Sequence, residues 1–331
     1  MIRRWNNVRD RTMTWVEVAA RQLYWRWPAF ADWWRARRAR RAPRPRISTG
    51  RLRTILEQRA QAPRGILVVH SAMETFELVD EDQRPLGTLA AAIWVLKQLR
   101  RITSEATLCM PTHPHYDRRL GFMSDKSDLT LTYDLSHTPS SVGLLTELFR
   151  RSEGAMRSEH PLSSLAAAGP HAARLLADNL NDQQPLPHGE YSSYYRLCVE
   201  GATVISLGLP LIRALTVVHV AEEVQDASWP VRDFFSSRRF ELIDRQRRRR
   251  LITVRERRPE FVRGLALGQL RRDLLREGLL REHTADGVRI DVADARGILD
   301  YMTERQRTST YPYHWPALSA WLGAPRATQQ T

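Results

Sequence analysis

Cysteine, lysine and long apolar runs are all scarce in this chain of 331 residues. It has two cysteines, Cys109 in an apolar, strand-like run and Cys198 in a helix-like one, too few for a disulfide framework. A reducing cytoplasm is the compartment they fit. No run of eighteen apolar residues occurs, and Ile2-Arg3-Arg4-Trp5 is not followed by an apolar secretion region, so neither a spanning helix nor an export signal is expected. The patterns G-x-G-x-x-G and G-x-x-x-x-G-K are both missing, so any nucleotide has to be held without a glycine-rich phosphate loop. His113, His115 and Asp117 are spaced like metal ligands, but no cysteine or further histidine completes a recognisable set, and no metal is expected. Lys97 and Lys126 are the only lysines, so a coding bias is one reading of part of the arginine richness, beside phosphate binding.

The charge that is present is unevenly placed. Residues 1–53 carry fifteen arginines against Asp10, Glu17 and Asp32, a net +12 out of the whole chain's +14, so the remainder is nearly neutral. The same region holds six of the ten tryptophans: Trp5, Trp15, Trp25, Trp27, Trp33 and Trp34. Trp5, Val8, Trp15, Ala19 and Leu23 recur at helical spacing, and Pro28 is a breaker. The arginine- and proline-rich run 37–46 reads as a linker, which puts a boundary near residue 50: a helical arm over 1–50 and a main domain over 51–331. Packing of the arm on the main domain, or across a homodimer, is the first reading. Docking of residues 1–46 to an anionic membrane surface, where indole rings sit at headgroup level and guanidinium groups meet phosphates, is the second. Nucleic acid is a weaker third.

Strand-like runs at 66–70, 106–111, 162–168 and 203–207 alternate with helix-like stretches at 88–101, 142–151, 170–180 and 192–200. This alternation predicts an α/β fold, layered around a buried sheet. Residues 113–140 form a polar excursion, and 225–260 an insertion or β-hairpin in which two β-like runs flank Arg245-Gln246-Arg247-Arg248-Arg249-Arg250. That ribbon is read as solvated, with contact to coenzyme A phosphates as the alternative.

The most informative segment is Arg157-Ser158-Glu159-His160-Pro161-Leu162-Ser163-Ser164, which sets one histidine among hydroxyls ahead of an apolar run. It resembles the R-S-x-H-P-x-x-S signature of the aminoglycoside 3-N-acetyltransferase family. Other pieces agree in order: Ile66-Leu67-Val68-Val69-His70-Ser71 with the first strand and its H-S turn, Met110-Pro111-Thr112 with M-P-T, Ala166-Ala167-Ala168-Gly169, Pro187-His188-Gly189-Glu190-Tyr191-Ser192 with P-F-G-x-x-S, and His219-Val220-Ala221-Glu222 with H-x-A-E. Gly264, Gly268 and residues 294–299 resemble the family's closing helices. Ala72, Leu86-Gly87, His188 and Ser192-Ser193 depart from the family pattern and point to altered pocket walls.

The resemblance implies an acetyltransferase fold of that type and transfer of an acetyl or other acyl group from acetyl-coenzyme A to a small-molecule amine, an amino sugar or aminoglycoside-like acceptor. Such an amine attacks a thioester only when unprotonated, so a positioned base is required, and histidine suits it. His160 is the expected base, Glu222 the carboxylate expected to orient it, and Ser163 or Thr112 the expected oxyanion donor. His70, Ser71, Thr112, Arg157 and Ser158 are expected near the coenzyme, and His219, Glu223 and Asp117 near the acceptor. A catalytically silent relative, using the fold as a docking scaffold, is the alternative.

Overall fold

The computed structural model describes residues 43–62, 65–114, 116, 130–180, 185–225, 229, 234–257, 265–308 and 310–312. The arm over 1–42, His115, Asp117 and Gly264 lie outside them. In chain order the elements are β1 (Arg46–Ser48), α1 (Thr49–Arg59), β2 (Ile66–Ser71), β3 (Glu77–Val79), α2 (Thr88–Ile102), β4 (Thr107–Pro111), β5 (Leu131–Asp134), α3 (Leu144–Arg151), β6 (Met156–Arg157), β7 (Leu165–Ala168), α4 (Ala172–Leu176), α5 (Ser193–Val199), β8 (Thr203–Leu207), α6 (Val220–Val224), β9 (Phe235–Ile243), β10 (Arg249–Arg257), α7 (Leu267–Arg276), β11 (Leu280–Arg281), β12 (Thr284–Ala285), β13 (Val288–Arg289), β14 (Val292–Asp294) and α8 (Ala295–Arg307).

Seven strands make the main sheet, in the order β11-β14-β8-β2-β4-β7-β6. Its centre, β8-β2-β4, is parallel; β14 and β7 flank it antiparallel. The central strands are buried on both faces, which is why they read as continuous apolar runs rather than as alternating ones. The pleat still sorts them: Ile66, Val68, Cys109 and Val204 enter one core with α5, α7 and α8, and Leu67, Val69, Leu108 and Ile205 enter the other with α1, α2 and α3. The result is a layered α/β domain. A second, three-stranded sheet, β10-β9-β5, closes over its own core of Tyr133, Leu135, Phe240, Leu242 and Val254.

Local sequence explains most of the boundaries. Ser48, Ser192 and Asp294 cap α1, α5 and α8 by accepting backbone N–H groups of the first turn. Gly169, with φ +126°, ends β7 where a Cβ would stand 2.4 Å from the Ala106 carbonyl, so no other residue fits that close approach. The strand expected over 162–168 begins only at Leu165. Ahead of it, Pro161 lacks an N–H, the Ser164 hydroxyl donates to the Thr112 carbonyl (2.7 Å) and Ser158 Oγ accepts the Leu165 N–H (2.9 Å), so side chains take the place of strand pairing. The helix expected over 170–180 shortens to α4. Arg249 and Arg250, expected in the turn, belong to β10.

β1 pairs in parallel with β3, and α1 buries Leu52, Ile55 and Leu56, so these residues around position 50 are built into the folded body. No helix among the described residues is long and apolar enough to cross a membrane.

Candidate active site

The parallel strands end at a cluster of histidines, the usual location of sites in such sheets. His70 and Ser71 close β2, and Thr112 and His113 follow β4. The loop from Arg157 to Ser164 crosses beside them, pinned by Arg157. This arginine is 5% exposed. Its Nη2 donates to the Thr112 carbonyl (2.6 Å), Nε to Thr112 Oγ1 and Ser164 Oγ (3.2 Å each), and Nη1 to the Thr138 carbonyl. The guanidinium also lies 5.1 Å from the Tyr133 ring, whose hydroxyl donates to the Ser158 carbonyl (3.0 Å). Arg157, Ser158 and Thr112, expected at the coenzyme, are therefore committed to internal partners. They shape the loop that carries His160.

His160 is 2% exposed. Its Nδ1 faces the Leu162 N–H at 3.4 Å and its Nε2 the Pro185 carbonyl at 3.5 Å. Burial lowers its pKa to about 3, with the Pro185 carbonyl opposing and His188 adding to the drop. The ring is thus held neutral, but the expected partnership with Glu222 is not formed. Glu222, fully buried, accepts from Arg257 Nη1 (2.7 Å) and meets His219 Nδ1 (3.2 Å), three residues back on the preceding turn. A buried carboxylate has to be paired, and β10 brings a guanidinium to it.

The next residue makes a different pair. Glu223 Oε1 lies 2.7 Å from His188 Nδ1, and its Oε2 accepts the His188 backbone N–H at 2.5 Å. The His188 ring is 5.1 Å from Tyr194 and 5.7 Å from His219. Tyr194 in turn bonds His113 Nε2 through its hydroxyl (2.9 Å). Burial, then the charges of His188, His70 and Arg157, lower the pKa of His113 to about 3; burial alone lowers that of His70 to about 4. Burial also depresses His219, with Arg257 adding to it and Glu222 opposing.

A sequence profile described as aminoglycoside 3-N-acetyltransferase matches residues 68–307. The chain belongs to this family. It is 45% identical to aminoglycoside N(3)-acetyltransferase VII of Streptomyces paromomycinus over 93 residues, 28% of this chain and 31% of that protein. The chain thus spans about a third of the length of the curated relatives it matches. The fold is that of two acetyltransferase structures. AAC-IIIb in its binary complex with CoASH has a TM-score of 0.63 at 20% identity, over 80% of this chain and 98% of that one. AAC-VIa bound to sisomicin has 0.59 at 19%, over 80% and 98%.

Within this member of the aminoglycoside 3-N-acetyltransferase family, the site residues separate into groups. His70, whose ring makes no hydrogen bond, and Ser71, whose buried hydroxyl has no partner, both among the described residues, stand at the end of β2. Ser163 is half-buried with its hydroxyl unbonded among the described residues. No group of three or more His, Cys, Asp and Glu among the described residues is arranged to hold a metal. Sequence reasoning missed Tyr194, Arg257 and the His188–Glu223 pair. The one signal for the pair was the histidine in the P-x-G segment, with two adjacent acids in H-x-A-E-E to share between two histidines.

Proposed function

We propose that this chain transfers an acetyl or other acyl group from acyl-coenzyme A to an amine of an amino sugar or aminoglycoside-like acceptor, with His160 as the general base. The observation that carries the reading is a buried histidine beside the ends of the parallel strands, with its Nε2 directed at a backbone carbonyl. The Pro185 carbonyl takes the role expected of Glu222. It accepts Nε2–H, leaves Nδ1 as the basic nitrogen, and favours the imidazolium that forms when the amine loses its proton. Both contacts of the ring are long, so Nδ1 gives up little in exchanging the Leu162 N–H for the acceptor's amine.

Acetyl-coenzyme A supplies the thioester that the amine attacks, with the thiolate as leaving group. The chain has residues that fit it. Ser71 offers an unpartnered hydroxyl, and beside it α3 begins at Gly143 without a side-chain cap, a Cβ there lying 3.8 Å from the Ser71 carbonyl. Uncapped amides at a helix start suit the phosphate or carbonyl oxygens of the donor. Ser163 is the remaining hydroxyl for the oxyanion.

Thermal melting with saturating acetyl-coenzyme A tests the donor: at about 100 times Kd, binding adds roughly 2.7 kcal/mol, a rise of a few degrees. His160→Ala is expected to lower thiol release by about 10²- to 10⁴-fold. No rise and no release with any acyl donor would instead favour a silent scaffold.

A further inference from the structure

We infer that His188, held by Glu223, is a specificity-determining residue whose Nε2 accepts a hydrogen bond from a non-reacting hydroxyl or amino group of the acceptor. The inference rests on the acyltransfer reading of the same site.

Three observations carry it. First, the P-F-G segment that residues 187–189 resemble has phenylalanine where this chain has His188, so a ring able only to pack has become one able to accept a hydrogen bond. Secondly, Glu223 fixes which nitrogen does so. Its carboxylate takes the Nδ1–H and the backbone N–H of the same residue, so Nε2 is the ring nitrogen left to present a lone pair to a ligand. Thirdly, His188 is 6% exposed and its Nε2 has no hydrogen-bond partner among the described residues. A buried acceptor without a donor is unfavourable, and a phenylalanine between Tyr194 and His219 would avoid the loss. A polar group retained against stability, inside a candidate active site, points to a ligand that completes it. The chemistry selects an acceptor with a hydroxyl or second amine near the reacting one, as on a hydroxylated amino ring. A site built to bond such a group discriminates against analogues lacking it.

The test is steady-state thiol release from acetyl-coenzyme A with sisomicin, gentamicin or apramycin, comparing the wild type with His188→Phe, and with His188→Phe combined with Glu223→Gln, which retires the buried charge together with the ring. The KM for the acceptor is expected to rise about 10- to 100-fold, while kcat and the KM for acetyl-coenzyme A stay within about threefold. His188→Gln, whose amide oxygen also accepts, should recover part of the loss, and the double variant should melt at or above the wild type. An unchanged acceptor KM in a folded variant would overturn the inference, as it would if a buried water satisfied Nε2. So would a collapse of kcat at constant KM, which would place His188 in the chemistry. If the wild type turns over no amino-sugar or aminoglycoside acceptor with any acyl donor, the acyltransfer reading fails before any variant is made, and this inference fails with it.

Discussion

At the scale of single residues, the site is a set of imidazoles kept neutral by burial. His70, His113 and His160 have folded pKa values of about 4, 3 and 3. In the unfolded chain each takes up its proton near 6.5, so between that value and the folded pKa the unfolded state binds more protons. Stability is therefore complete above about pH 6.5 and declines as the pH falls, by roughly 1.4 kcal/mol per pH unit for each histidine. Urea denaturation at pH 7 and pH 5 measures this; equal midpoints would mean that the rings are hydrated. His160 stands out in the sequence as a candidate because its signature is local. Its Pro185 contact does not, since the two groups meet only through tertiary packing. Glu222 meets His219 rather than the expected His160 for a related reason: two neighbouring acids on one short helix both suit the role in sequence, and only the arrival of Arg257 distinguishes them.

At the scale of elements, the β9–β10 hairpin is more than a solvated ribbon. Its Arg255 N–H donates to the Pro185 carbonyl (2.8 Å), the same carbonyl that faces His160, and its Arg257 holds Glu222. Arg257→Met removes the guanidinium from a fully buried carboxylate and is expected to cost about 3–5 kcal/mol, whereas Arg257→Met with Glu222→Gln should regain most of it. Denaturant midpoints of the single and double variants decide the matter; equal losses would show that the charge pair itself is not the cause. The sequence made the hairpin visible through its β-like runs, as it did β2, β4 and β8 through their apolar continuity. It did not reveal that β9 pairs with β5 and turns the hairpin's far end toward the site, because that pairing joins segments about a hundred residues apart. The early strand expected at Leu162 failed because serine hydroxyls there substitute for the ladder.

At the scale of the whole molecule, charge separates the first 53 residues, at net +12, from a nearly neutral remainder. If the tryptophan- and arginine-rich arm docks to lipid, removing residues 1–42 should abolish sedimentation with phosphatidylserine vesicles while sparing β1, which the body needs for its pairing with β3. Sedimentation unchanged by the deletion would return the arm to packing or dimer contact. The order of the main sheet has a further consequence, for synthesis. β2 finds β4 soon after it is made, but its other neighbour is β8, and β8 is itself covered only by β14. A chain emerging from the ribosome therefore carries a half-built sheet, with the apolar edge of Ile66–Val69 exposed, until residue 207 is clear, and a new open edge until residue 294. The strand order therefore predicts that completion of the sheet waits on translation of the second half, with β2 the apolar segment left exposed meanwhile.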